Sequence, residues 1–218
     1  MFVGHYGIGL SGRASTPQVS LGTWFLSVQF LDLLWPIFLL LGWEHVRIQP
    51  GLMRLSPLDF YDYPLSHSLV GALAWSVAFA AAHFALRRRG RVALLLGAGV
   101  LSHWLLDLLV HRPDLAVVPG RGPYLGMGMW NFPAVELPVE LLIYGLGIRL
   151  YLRATRAKDG SGRYGLAALL VLLFAIWLGA AFGPPPPSVA ALAWSALGQW
   201  LFVLWAYWID RHREPVPV

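Results

Sequence analysis

Three ionisable side chains lie four residues apart in the segment SHWLLDLLVH: His103, Asp107 and His111. Residues three or four apart on an α-helix are neighbours on one face, so this spacing places two imidazoles and a carboxylate along one stripe. The rest of the segment is apolar. An ionisable group inside a membrane costs about 2.5–3.5 kcal/mol on insertion scales, so these residues are candidates for function.

Glu136 and Glu140 repeat the four-residue spacing on the next apolar segment. Counting about 1.5 Å per residue from the outer ends of the two segments places Asp107 and Glu136 at the same depth. Imidazoles and carboxylates at one depth form a ligand set suited to a divalent metal ion, with zinc expected first and manganese, iron or magnesium as alternatives. The chain contains no cysteine, which excludes thiolate ligands, thiol nucleophiles and iron–sulfur clusters. The alternative is a structural ion pair between His103 and Asp107, with Glu140 bonded to a backbone group.

Three more ionisable residues, His5, Asp32 and His67, fall within or at the ends of apolar segments. Asp32 lies four residues before Pro36, which frees the Asp32 carbonyl and predicts a bend in the helix. Because a lone carboxylate in a membrane is costly, Asp32 needs a partner, and His5 is the candidate if its short segment is half inserted. His67 begins its segment after a proline-containing loop, with Ser66 available as a cap.

The remaining histidines point less clearly to chemistry. His83, alone on its segment, is expected to be packed or interfacial, and His212 lies in a basic tail where we expect it to be solvated. His45 follows Glu44 in a long loop, where either a structural or a functional role fits.

The elements that carry these residues belong to a membrane protein. Hydrophobic residues make up 57% of the 218, and charged residues 12%, whereas a soluble domain averages about 25% charged. Eleven tryptophans, eleven phenylalanines and eight tyrosines suit membrane interfaces. The composition excludes an ordinary soluble domain, a disordered chain and a disulfide scaffold.

Apolar segments of about 20 residues are long enough to cross a bilayer, whereas the segment at residues 2–12 is too short and predicts a re-entrant or half-membrane helix. We therefore predict an all-α polytopic membrane protein with about six transmembrane helices, forming a single integral membrane domain over residues 1–218. The predicted spans are 21–43, 67–86, 92–111, 132–152, 164–182 and 189–209.

The basic residues predict the orientation. With six spans and a cytoplasmic N-terminus, 12 of the 16 Lys and Arg residues fall on the cytoplasmic side, which is the usual positive-inside bias. Both termini are then cytoplasmic. The net charge of +5 is concentrated in short loop clusters beside apolar segments, so membrane lipids rather than nucleic acid are the expected partners.

Several of these residues also occur in a recognisable order along the first half of the chain. The order is His5 in GHYGIGL, Asp32 after an apolar run, Ser66-His67-Ser68 opening a helix, and Ser102-His103 followed by Asp107.

This order resembles the YdjM-like inner-membrane family of metal-dependent hydrolases, over about residues 1–115. The resemblance implies a metal site built by His5, Asp32, His67, His103 and Asp107. The sequence departs from the family pattern at two positions, because Asp62 replaces the first histidine before Ser66 and Leu34 replaces the second aspartate after Asp32. His111 is a candidate additional ligand that would compensate.

The leading expectation is a metal-dependent hydrolase in the bacterial inner membrane, acting near the outer leaflet on a phospholipid or lipid-linked ester. Its metal would lower the pKa of a bound water, with Glu136 or Glu140 as general base or further ligand. Two alternatives use the same residues: a relay that moves protons or divalent cations, and a scaffold whose polar groups only lock helices together.

Overall fold

The computed structural model describes residues 1–216 and is mostly helical. A 3₁₀ turn at Met129–Asn131 precedes the helix that begins at Pro133. In chain order the helices are α1 (Val3–Ser15), α2 (Leu21–Val28), α3 (Phe30–Leu40), α4 (Leu69–Arg87), α5 (Gly90–Val110), α6 (Pro133–Ala154), α7 (Gly160–Phe182), α8 (Val189–Leu197) and α9 (Gln199–Arg211).

Three two-stranded antiparallel ribbons lie in the connections between helices. The connections that carry the first two are joined by contacts of Arg112 with Asp59 and of Tyr63 with Asp114, and the third joins the end of α6 to the segment after α9. None was predicted, because these loops are marked mainly by Gly and Pro and lack long alternating runs. The pairs are β1 (His45–Ile48) with β2 (Leu58–Asp62), β3 (Leu115–Val118) with β4 (Arg121–Leu125), and β5 (Thr155–Ala157) with β6 (Arg213–Pro215).

Four helical segments are long and apolar enough to cross a membrane. Three are α4, α5 and α7, and the fourth is α8 and α9 taken together as one segment. Helices α2 and α3 pass the same test only as a bent pair. Helix α4 has apolar side chains over most of its length yet buries little of its surface, which is the pattern of a helix facing lipid. The predicted helical class is therefore confirmed, with no closed sheet in the part of the chain described.

The predicted continuous helix at 21–43 is broken. Helices α2 and α3 meet at an angle of 56°, and the break falls at Gln29, whose backbone (φ −102°, ψ 5°) leaves the helical region. Pro36, where the sequence predicted the bend, is accommodated inside α3. The cap of α4 also differs from expectation, because the side chain of Ser68, rather than that of Ser66, accepts a hydrogen bond from the Gly71 N–H at 3.0 Å.

Helix α1 is largely buried among the other helices. Its 13 residues span about 20 Å, less than the roughly 30 Å of a bilayer core, so it is too short to cross alone. The backbones of α1 and α6 touch at Gly7 and Gly147, where a Cβ on either glycine would collide with the other helix. This contact places the first turn of α1 beside Glu140.

Candidate metal centre

Five of the six predicted metal ligands converge in the structure. Four of them are buried, and the side chain of Asp32 is 23% exposed. They come from four different parts of the chain, so the cluster depends on the tertiary packing of the helices. The five are His5 from α1, Asp32 from α3, His67 just before α4, and His103 and Asp107 from α5.

Asp107 lies at the centre of the cluster. Its Oδ1 is 3.2 Å from Nε2 of His5, and its Oδ2 is 3.1 Å from Nε2 of His103. The same Oδ2 is 3.6 Å from Nε2 of His67. The amino nitrogen of Met1 also lies 2.7 Å from Oδ1. Both oxygens of this carboxylate therefore face nitrogen atoms.

Asp32 faces two histidines, though not the one the sequence suggested. Its Oδ1 is 3.5 Å from Nε2 of His67 and 3.6 Å from Nε2 of His103, whereas His5 pairs with Asp107. Two groups of three therefore have ligand atoms within 4.8 Å of one another: His5, His103 and Asp107, and Asp32, His67 and His103. These buried groups could hold a metal ion.

The ring of His103 is oriented by the break between α2 and α3. Its Nδ1 donates to the carbonyl oxygen of Val28, the last residue of α2, at 2.8 Å. Carbonyls at a helix end lack partners within the helix, so this one is available. Since a carbonyl can only accept, Nδ1 carries a proton, and in the neutral form of the ring the lone pair is on Nε2. Nothing within residues 1–216 hydrogen-bonds to that buried Nε2. It faces the carboxylates of Asp32 and Asp107, and a neutral imidazole nitrogen beside two carboxylates is suited to bind a metal ion.

His67 is held from both sides. The indole of Trp104 on α5 donates to its carbonyl oxygen at 2.9 Å, and the hydroxyl of Ser66 lies 2.7 Å from its Nδ1. That hydroxyl donates to the buried carboxylate of Glu44 at 2.6 Å. Glu44 also accepts from the backbone N–H groups of Leu65 and Ser66, each at 2.7 Å. The long loop before α4 thus fixes the imidazole through a carboxylate.

The two glutamates of α6 differ in their surroundings. Glu140 accepts from the backbone N–H groups of Phe2 and Gly4, the latter at 3.0 Å, and from the Trp177 indole at 2.9 Å. It therefore anchors the first turn of α1, and with it His5. Glu136 is also buried, and its Oε1 has no hydrogen-bond partner within the described chain.

His111, the sixth predicted ligand, lies apart from both groups of three. Its Nδ1 is 3.0 Å from Asp114 and 3.3 Å from the hydroxyl of Tyr63. The Tyr63 hydroxyl donates to the same carboxylate at 2.9 Å, and burial beside that carboxylate raises the pKa of Tyr63 well above its usual value. His111 thus takes part in a hydrogen-bonded network at the edge of the site.

Three other histidines lie outside the cluster. His83 is half-buried on α4. His45 is exposed and lies 2.7 Å from Asp62, while Nδ1 of His212 lies 2.7 Å from Asp159. All three positions are peripheral. The sequence analysis expected this of His83 and His212, and for His45 it was one of two alternatives.

A cavity of about 640 Å³ opens beside the cluster. Asp32, His67 and Asp107 line its polar end together with His111 and both glutamates. The remaining wall is mainly apolar and comes from α3, the loop at 55–58, the end of α7 and the beginning of α8. Its members include Trp35, Leu58, Trp177, Pro184, Pro185, Pro186, Pro187 and Leu192. The volume is within the usual range for small-molecule sites.

Comparison with known proteins gives no further identification. No family model matches the chain, and neither a curated protein nor a solved structure matches it at a significant level. The class that the fold and the site define is a helical protein with apolar candidate membrane spans and a buried His/Asp cluster capable of holding a metal.

The sequence did not identify Glu44, the Val28 carbonyl or Asp114 as partners of site histidines. Glu44 had one signal, an acidic residue in a loop that leads toward His67. The Val28 carbonyl had none, because a backbone acceptor becomes available only where the helix breaks.

Proposed function

We propose that this protein is a membrane-embedded, metal-dependent hydrolase acting on a phospholipid or lipid-linked ester near the outer leaflet. The observation that carries the proposal is the position of the His/Asp cluster, which lies at the polar end of a cavity whose other walls are apolar. Such a cavity suits an amphiphile whose polar part reaches the cluster while its chains contact the apolar wall. The resemblance to the YdjM-like hydrolases agrees with this proposal.

The proposed membrane arrangement has six crossings and a half-membrane helix. Helices α2 and α3 form one bent crossing, α6 supplies another in spite of its glutamates, and α1 enters part of the way. The N-terminal amino group lies inside the bundle beside Asp107, not in the cytoplasm as the sequence predicted. With the C-terminus and the segment after α1 in the cytoplasm of a bacterium, the loop at 55–58 and the turn at 184–187 are external. The cavity, which both segments line, then faces the outer leaflet.

The donor set fits zinc first, because imidazole nitrogens and carboxylate oxygens are typical zinc ligands. Manganese, iron and magnesium remain alternatives. A divalent ion held here would lower the pKa of a coordinated water and polarise the scissile bond. The ligands would be His5, Asp32, His67, His103 and Asp107.

The chain's own residues would supply the rest of the chemistry. Glu136 belongs to the cavity lining, and its buried Oε1 has no hydrogen-bond partner within residues 1–216, so we assign to it the acceptance of a proton from water. Glu140 already accepts three hydrogen bonds, so its role would be to position His5 through α1. His111 would act from the cavity edge, either as an added ligand or by contacting the substrate.

Metal analysis of detergent-purified protein tests the proposal. Wild-type protein should contain a transition metal after incubation with Zn²⁺ or Mn²⁺, and Asp107→Ala and His103→Ala should lose it while keeping the size-exclusion profile. His83→Ala, which removes a histidine outside the cluster, is the matched control and should retain the metal. Folded wild-type protein that binds neither ion would overturn the hydrolase proposal. Metal-loaded protein would then be assayed on phosphoester and carboxylic ester lipids.

A second candidate is a relay for protons or divalent cations. Polar groups continue beyond the cluster, since Gln29 is fully buried with no hydrogen-bond partner for its amide within residues 1–216. Nearby in the bundle, the Tyr6 hydroxyl lies 3.3 Å from Gln199. Ion flux in proteoliposomes, abolished by Gln29→Leu, would favour this candidate over hydrolysis.

A further inference from the structure

The rings of His5 and His103 are stacked. Their centroids are 3.8 Å apart and their planes differ by 4°, and both rings are buried. The metal-binding lone pair of an imidazole nitrogen lies in the plane of its ring. In two parallel rings these lone pairs therefore lie in two parallel planes and do not converge.

One ion cannot use both lone pairs in this arrangement. An ion midway between the rings would lie up to 1.9 Å from each plane, half of the 3.8 Å separation. A metal–imidazole bond is only about 2.0–2.1 Å long, so such an ion would sit almost above each nitrogen rather than in the ring plane. His5 and His103 therefore suit two ions, one in the plane of each ring.

The two oxygens of the Asp107 carboxylate also face different histidines. Its Oδ1 lies 3.2 Å from His5 Nε2, and its Oδ2 lies 3.1 Å from His103 Nε2. Two ligand atoms about 2.1 Å from one metal, at angles between 95° and 110°, are about 3.1–3.4 Å apart. Each oxygen therefore pairs with a different histidine at the separation of neighbouring ligands.

We propose that the site holds two divalent ions bridged by Asp107. The first position would use His5 and Oδ1 of Asp107, where the ion would replace the Met1 amino group that lies 2.7 Å from Oδ1. The second would use His103 and Oδ2 of Asp107 together with His67 and Asp32, whose ligand atoms lie 3.5–3.6 Å from one another or from His103. This inference rests on the proposed metal binding and adds the number of ions and the bridging ligand.

The two positions differ in how the protein encloses them. The second position has four protein ligands and is the tighter site. The first has two protein ligands, so the remaining coordination sites of its ion would be open to the cavity that Asp107 lines. The first ion should therefore exchange more easily.

Two ions narrow the substrate class to phosphoric esters. Metal pairs about 3.5–4 Å apart, a spacing close to the 3.8 Å between these rings, suit in-line displacement because they stabilise both the attacking and the leaving oxygen. In that reaction water forms a bond to phosphorus, the bond between phosphorus and the ester oxygen breaks, and the proton lost by water ends on the departing alcohol. A lipid phosphoester has the phosphate for the ions and the chains for the apolar wall.

Stoichiometry and electron paramagnetic resonance with Mn²⁺ test this inference on full-length protein in detergent. Two Mn²⁺ per chain, with the multiline spectrum of an exchange-coupled pair, are expected. One Mn²⁺ per chain with an uncoupled spectrum would overturn the two-ion proposal and leave the proposed function standing. Folded protein that binds no Mn²⁺ or Zn²⁺ would overturn both.

Variants assign the positions. His5→Ala should bind one ion instead of two and lose the coupled spectrum, whereas His83→Ala should retain both. Two ions in folded His5→Ala protein would contradict the assignment of the first position. If that variant does not fold, titration of wild-type protein still decides, because two classes of site of unequal affinity are expected and a single class with one ion per chain is not.

Discussion

The hydroxyl of Ser66 lies 2.7 Å from Nδ1 of His67, its neighbour in sequence. The hydroxyl proton is directed to Glu44 at 2.6 Å, so the oxygen accepts from Nδ1 and the lone pair of His67 is on Nε2. That nitrogen faces Asp32 and Asp107. A carboxylate thus sets the tautomer of His67 through one intervening hydroxyl, in the manner of the outer partners of metal-bound histidines.

Ser66→Ala should weaken metal affinity by about 10–100-fold, the usual cost of losing an outer partner of a ligand. The loop should stay folded, because Glu44 keeps its hydrogen bonds from the backbone of residues 65 and 66. Competition with a chromophoric chelator measures the affinity. Ser66→Thr, which keeps the hydroxyl, should restore it, and Ser15→Ala at an exposed site is the control. Unchanged affinity in Ser66→Ala would show that the hydroxyl does not set the tautomer.

Glu140→Ala should destabilise the protein and release α1. The substitution leaves the N–H groups of Phe2 and Gly4 and the Trp177 indole without their acceptor. A buried donor without a partner costs about 1–3 kcal/mol, so the loss of unfolding free energy should reach at least that range. Unfolding in mixed detergent micelles measures it. Glu214→Gln, at an exposed ion pair, should change stability little, and equal stability of both variants would contradict the anchoring role.

A pair of glycines on α6 tests the contact between α1 and α6. A Cβ at Gly147 would overlap the carbonyl oxygen of Gly7, whereas a Cβ at Gly145 meets no atom within 4 Å. Gly147→Ala should therefore push the helices apart, lower the unfolding temperature and reduce metal binding through His5. Gly145→Ala should be neutral or stabilise by about 0.5–1 kcal/mol, since alanine favours helix more than glycine does. The reverse order of stability would mean that α1 does not pack as described.

The sequence predicts much of the fold because long apolar runs have few alternatives. The helices near 67–86, 92–111, 132–152 and 164–182 appear within a few residues of their predicted bounds. The break at Gln29 was not predicted, since no proline or glycine marks it. Pro36, which does carry such a signal, is tolerated inside α3.

The candidate site likewise combines contacts that the sequence predicts with contacts that only the packing of the helices determines. His103 and Asp107 come together because four residues make one helical turn, which sequence spacing reveals. The pairing of His5 with Asp107 and of Asp32 with His67 depends on how α1 and α3 pack, and spacing along the chain does not determine that. One sequence interpretation had Glu140 bonded to a backbone group, which it is, but only the packing of α1 identifies the partners as the N–H groups of Phe2 and Gly4.

Filling the apolar end of the cavity tests whether lipid chains occupy it. Ala191 lines the cavity, whereas its neighbour Ala190 is exposed and lies outside the lining. Ala191→Trp should reduce turnover of long-chain phosphoester lipids by about tenfold or more, because an added indole takes up space that a chain would fill. A tenfold reduction corresponds to a loss of about 1.4 kcal/mol in transition-state binding.

Turnover of a short-chain water-soluble phosphoester and the metal content should stay at the wild-type level. Ala190→Trp adds the same side chain outside the cavity and should leave all three quantities unchanged. Equal effects of Ala191→Trp on long and short substrates would show instead that chains bind elsewhere.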